Sequence, residues 1–318
     1  VDLHDAASYH QLVLASEGRS LATQRLYLTY EKRFLNFLAE RGMAADMEAL
    51  NAVNVRQAVL WMQKHGQGAR GGEVATRTFL DILRIWANFL EREGVWEVSP
   101  LRRVRRMHIR RLERQPFSRT EVQALVQTSS DGTFPTRDRL LLLLLLDTGA
   151  RISEITSLTM NCVSLSERHI RVLGKGNRER TVPFGDGSVA DGGPTMRALR
   201  AYLHVRDELL EQHPDRHTEV LLLDRRGYPI GRRAGTDIIR RLGNRAGVAD
   251  AIPHRCRHTY ITAYLTAHPG DEMGLRRLVG HLSRDVLADY THLSQLAITE
   301  RQQRASILSY LLGTKKSS

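Results

Sequence analysis

Residues 169–184 read HIRVLGKGNRERTVPF, and this stretch decides the fold class. Residues 169–173 and 179–184 alternate apolar with polar side chains or are β-branched, the period-two pattern of half-buried strands. Between them Gly174, Lys175, Gly176 and Asn177 supply the turn of a β-hairpin. Almost everything on either side has helical spacing. The expectation is a mainly α protein with a small antiparallel β-hairpin or sheet set into its second half.

Upstream of the hairpin, Ser118 followed by Glu121 is a capping-box pattern that opens a helix through Val126. Seven consecutive leucines, 140–146, form a buried helix ending at Gly149, and 152–158 a short third one. Downstream, a Gly/Asp loop at 185–194 leads to helices at about 195–212, 234–246, 254–268, 274–281 and 297–312, with a short apolar piece at 220–223. The first hundred residues read as a bundle of about four helices. Leu26, Tyr30, Phe34, Phe37 and Leu38 form one stripe, and Phe79, Ile82, Leu83, Trp86, Phe89 and Leu90 another. The four segments lie near 9–16, 23–41, 55–64 and 74–93, punctuated by Gly42, the glycines of 66–72 and Gly94. The expected organisation is therefore a helical domain at 1–101, a linker at 102–116, an α+β domain at 117–296, and a C-terminal helix and tail at 297–318.

The 318 residues include 47 Lys and Arg against 35 Asp and Glu, a formal net charge of +12, with 42% hydrophobic residues. Those values exclude a disordered chain and point to a polyanionic partner. At 6% aromatic residues, an aromatic stacking platform for single strands is not expected. The positive charge begins late. Residues 1–101 hold 11 basic and 12 acidic side chains, whereas 102–114, RRVRRMHIRRLER, carry seven arginines and one glutamate. Arg102, Arg103, Arg105, Arg106, Arg110 and Arg111 have the composition of a strap lying along phosphates. Only five of the basic residues are lysines, and Lys175 is the sole one between Lys64 and Lys315. Two cysteines, Cys162 and Cys256, make no disulfide framework and suggest a reducing compartment. The leucine run is far short of the about 20 residues of a membrane span, and the opening residues do not form a secretory leader. A soluble cytoplasmic protein is expected, with no membrane partner.

Several residues carry chemistry. His254 and Arg257, at i and i+3, share one helix face. His254 and His258, with Cys256 between them, could alternatively hold a metal, although no HExxH or paired CxxC accompanies them. Arg151 follows the helix-ending Gly149 and stands three residues before Glu154. His281 follows Gly280, and Tyr290 comes nine residues later.

In this order, TGARISE with Arg151, GKGNRER with Lys175, HRCRHT with His254 and Arg257, VGH with His281, and finally Tyr290 resemble the tyrosine recombinase (phage integrase) family. The resemblance is close over about 117–292. The N-terminal half and basic linker match that family's core-binding domain in position and size, with no separate arm-binding domain expected before it. The resemblance implies that Tyr290 is a nucleophile toward a DNA phosphodiester, Arg151 and Arg257 clamp the phosphate, Lys175 is the general acid, His254 accepts a proton and His281 donates a hydrogen bond. Glu154 and His258 would support them. The residue types suit these roles. A tyrosine with a pKa near 10 needs cationic neighbours; planar guanidinium forks match phosphate oxygens; and an ammonium can release a proton where guanidinium cannot. The resemblance further implies no metal, no other cofactor, a two-domain clamp on double-stranded DNA, and a homotetramer on synapsed sites linked through the C-terminal helix. That helix carries Ile298, Ile307, Leu308, Leu311 and Leu312. A type IB topoisomerase or telomere resolvase uses a similar site, and a non-catalytic DNA-binding protein could share the fold.

Overall fold

The computed structural model describes residues 2–65, 71–107, 115–174 and 179–280. The chain divides into two compact units, Val1–Leu112 and Glu113–Ser318.

The first unit is helical: α1 (Leu3–Ser16), α2 (Leu21–Glu40), a 3-10 turn at Met47–Ala49, α3 (Ala52–His65) and α4 (Gly71–Arg92). Helix α1 starts at Leu3, earlier than the apolar spacing indicates, because Asp2 caps it by accepting the Asp5 backbone N–H. Ser20 caps α2 in the same way through Thr23. The two predicted stripes meet in one core, where Phe34, Phe37 and Leu38 of α2 join Phe79, Leu83, Trp86 and Leu90 of α4. Inside this core His10 Nδ1 lies 2.6 Å from Glu31 Oε1, with both side chains buried. After α4, Leu101 and Val104 are buried in the same cluster.

The second unit contains α5 (Arg119–Thr128), α6 (Pro135–Thr148), α7 (Ile152–Thr156), a 3-10 turn at Met160–Cys162, β1 (Val163–Ser164), β2 (His169–Leu173), β3 (Glu179–Pro183), α8 (Gly193–Gln212), α9 (Arg232–Ala246), α10 (Pro253–Ala267) and α11 (Glu272–Val279). The Ser118 capping box is present, with Glu121 returning a hydrogen bond from the Ser118 N–H. In the leucine helix α6, Leu140 to Leu145 are buried and Leu146 partly so, with α8 and α10 packed against the helix. Each such leucine contributes about 1.5–3 kcal/mol of hydrophobic stabilisation. The predicted hairpin is there, with Ile170 opposite Val182 and Leu173 opposite Glu179, and β1 extends it to a three-stranded antiparallel sheet of order β1-β2-β3. Two features differ from the sequence expectation. The two-residue β1 carries too little pattern to be read, and α11 ends at Val279 because Gly280, at φ 78° and ψ −156°, leaves helical space. The hairpin tip at 175–178 and everything from 281 onward, including the predicted helix at 297–312, lie outside the described residues. Among the described residues no helix is long and apolar enough to cross a membrane.

Candidate active site

Gly149 makes the turn from which the site is built. It ends α6 in the left-handed conformation, φ 59°, and a Cβ there would stand 2.3 Å from the Tyr260 ring. Only glycine satisfies both demands. The turn places Arg151 at the N-cap of α7, and Glu154, on the first turn, reaches back to it. One carboxylate oxygen accepts the Arg151 backbone N–H at 2.8 Å and the other accepts its guanidinium at 3.0 Å.

A second arginine meets the same carboxylate. Arg180 of β3 donates from its two terminal nitrogens to the two oxygens of Glu154, at 3.0 and 2.7 Å, while its Nε donates to the Leu278 carbonyl at 2.7 Å. Glu154 and Arg180 retain 4% and 11% of side-chain exposure, whereas Arg151 retains 37% and so stays within reach of a ligand. Burial pushes the Glu154 carboxyl upward, but hydrogen bonds from Arg180 and Arg151 outweigh it and hold the group below the usual carboxylate range. The trio is two cations on one anion, leaving one net positive charge beside the α6–α7 turn.

Helix α10 brings in the third segment. Ile261 and Leu265 pack on Leu275 and Val279 of α11, which sets the end of α11 beside the start of α10. Arg257 is buried there and donates to the Gly149 carbonyl at 2.7 Å and the Val279 carbonyl at 2.8 Å. One guanidinium therefore ties together the TGARISE turn, the HRCRHT helix and the VGH corner. Arg180 ties the strand following the GKGN tip to the same place. His254, in the first turn of α10, is exposed, and His258 is half-buried. Lys175, His281 and Tyr290 lie outside the described residues, though Arg180, on the strand after Lys175, and Val279, two residues before His281, belong to this cluster.

The alternative metal set is divided by burial. Cys256 is fully buried, and desolvation pushes its thiol up to about 12, while His254 faces out. Among the described residues no three His, Cys, Asp or Glu side chains gather as a ligand set. Arg255, the remaining cation of HRCRHT, is occupied locally. It stacks over Phe117 at 4.2 Å and donates to Glu121 and to the Gln115 carbonyl, anchoring the chain as it enters this unit.

In the first unit, Arg102, Arg103, Arg105 and Arg106 are exposed, interleaved with the buried Leu101 and Val104. The apolar pair pins the segment and the arginines face solvent, Arg106 lying 3.4 Å from Asp81. A hollow of about 460 Å³ opens beside them, lined by Arg56, Leu60, Arg103 and Met107 among others. Arg110 and Arg111 lie outside the described residues.

Sequence reasoning missed Arg180. The signal was present: strand alternation pairs Arg180 with Val172 and puts it on the same face as Val182, which is buried. A cation on the inward face of a strand requires an anion.

A family model described as the phage integrase family matches residues 116–296. The tyrosine recombinase XerC of Mycobacterium sp. (strain JLS) is 31% identical over 297 residues, covering 90% of this chain and 93% of the relative. Two solved structures share the fold. XerH recombinase bound to a palindromic difH substrate in a post-cleavage complex has a TM-score of 0.66 at 17% identity, over 92% of this chain and 81% of that one. A lambda integrase tetramer bound to a Holliday junction has a TM-score of 0.67 at 17% identity, over 89% and 78%. Arg151, Glu154, Arg180 and Arg257 all fall inside the matched stretch, and with more than half of its length covered the chain belongs to the phage integrase family, the tyrosine recombinases.

Proposed function

We propose that this protein is a site-specific DNA recombinase that cleaves and rejoins duplex DNA through a phosphotyrosine at Tyr290. The observation that carries the reading is the Arg257 guanidinium, which draws the Gly149 turn and the Val279 corner onto α10, so that residues separated by more than a hundred positions serve one site. Arg151 and Arg257 hold the non-bridging oxygens of the scissile phosphate and stabilise the charge that builds up in the pentavalent transition state. Guanidinium has five N–H donors, so protein carbonyls and a phosphate can share one group. The Tyr290 oxygen attacks phosphorus, its proton passing to His254. The bond from phosphorus to the 5′ oxygen breaks, and Lys175 protonates that oxygen while His281 donates to the phosphate. The 3′-phosphotyrosine conserves the ester bond, so the reverse attack by a 5′-hydroxyl of a second duplex needs neither ATP nor a metal ion. Two such exchanges pass through a Holliday junction.

In this reading 1–101 is the core-binding domain, 102–116 a phosphate-contacting linker, 117–296 the catalytic domain, and 297–318 a segment whose apolar face docks on a neighbouring protomer of a tetramer. The protein acts in the cytoplasm on nucleoid DNA. The test is to incubate the protein with fragments of the genome that encodes it, quench in detergent, and sequence the DNA that is covalently attached. Adducts should map to a discrete site, through a 3′ phosphate on Tyr290, and Tyr290→Phe should abolish them. Absence of adducts, or adducts that persist in Tyr290→Phe, would overturn the assignment.

A further inference from the structure

Two arginines on one buried carboxylate pose a question that phosphate binding by Arg151 does not answer. Glu154 holds Arg151 by both its backbone and its side chain, which fixes where the guanidinium points. A carboxylate that close also cancels the charge it aims. An isolated Arg151–Glu154 pair would present no net charge to a phosphate, and its guanidinium would be drawn toward the carboxylate. Arg180 removes this conflict. Its planar fork takes both oxygens of Glu154 and its third nitrogen donates to the Leu278 carbonyl, so each of its three nitrogens is committed to a protein acceptor.

We infer that Arg180 is a positioning residue that neutralises Glu154, so that this carboxylate orients Arg151 without consuming the positive charge Arg151 brings to the scissile phosphate. The inference rests on the strand-transfer reading above. Arg180 makes no contact with DNA in this scheme and acts only through Glu154 and Arg151. A lysine in its place restores the charge but not the two-pronged geometry.

The experiment uses the full-length protein and a duplex built from the mapped site, nicked so that the cleaved strand is trapped. Cleavage is followed in a single turnover at saturating protein, with binding measured separately. Arg180→Met should bind as tightly as the unaltered chain but cleave about 100-fold more slowly, the scale of loss when a reacting group is misplaced by about 1 Å. Arg180→Lys should fall between them. Removing the charge that Arg180 opposes should reverse the defect, so the Arg180→Met, Glu154→Gln double variant should cleave faster than Arg180→Met. A methylphosphonate at the scissile position, which carries no negative charge, should likewise narrow the gap between Arg180→Met and the unaltered chain. A residue that merely holds the fold would show neither recovery. If Arg180→Met fails to fold, the Glu154→Gln background decides the matter, because there the Arg180 substitution should change the rate little. Cleavage by Arg180→Met at the unaltered rate, or a loss that neither recovers, overturns the inference and leaves the strand-transfer reading standing. No adduct with the unaltered chain overturns both.

Discussion

Cys256 sits between two arginines and beside two histidines in the segment that supplies the site, yet its side chain faces the core of the second unit. Burial pushes its thiol up to about 12, so at neutral pH it is neither a nucleophile nor a ready metal ligand. Cys162 is half-exposed in the turn before β1. Iodoacetamide should therefore label Cys162 alone in the native protein and both thiols in guanidinium chloride, with native labelling leaving strand cleavage intact. Mass spectrometry of the labelled protein reads this directly, and native labelling of Cys256 would show that α10 does not pack as described. Glu154 shows the opposite outcome for a buried polar group. Hydrogen bonds from two guanidinia keep it ionised, and its neighbours determine its state more than its depth does.

Between elements, Gly149 controls more than any other single residue. Its carbonyl receives Arg257, its left-handed backbone turns α6 into α7, and its missing side chain accommodates the Tyr260 ring. Gly149→Ala should lower stability by at least the about 1–2 kcal/mol of left-handed backbone strain, with a further cost from the ring. It should also slow cleavage by displacing Arg151 and Arg257 together. Thermal melts should show that adding Tyr260→Ala relieves only the steric part, and full stability in Gly149→Ala would refute this account of the turn. The glycine was legible in the sequence as a helix end, because periodicity stops there. The hairpin was legible because its period changes, and α2, α4 and α6 because their apolar stripes are long. What escaped was short or relational. Strand β1 has two residues, the start of α1 depends on an Asp2 cap ahead of a weakly apolar stretch, and Arg180 matters only once the face of β3 and the position of Glu154 are known. Arg151, Glu154 and Arg257, which the structure brings to the same turn, could be named from motif and resemblance, whereas Arg180, which completes the carboxylate-centred network, could not.

At the scale of the whole chain, the +12 charge is unevenly distributed. Residues 1–101 are close to neutral, so the excess begins with the arginines at 102. The first four of these are held on the surface of the first unit by buried Leu101 and Val104, an arrangement that fixes their backbone while leaving the side chains to solvent. Cations that lie along DNA phosphates add affinity by releasing counterions, independent of base sequence, and the proposed function gives these arginines that place. Changing Arg102, Arg103, Arg105 and Arg106 to glutamine should therefore weaken binding to specific and non-specific duplexes alike. The slope of log affinity against log salt should become shallower by about 0.9 for each phosphate contact removed, up to about 3–4 for all four. Fluorescence anisotropy across a salt series measures this. An unchanged slope would remove the segment from the DNA contact surface, and a loss confined to one sequence would mean that these arginines read bases. Arg151 and Arg257 should behave differently, because the proposed mechanism assigns their contribution to the transition state. Substituting them should lower the cleavage rate far more than the affinity, and this separates the charge that reacts from the charge that holds.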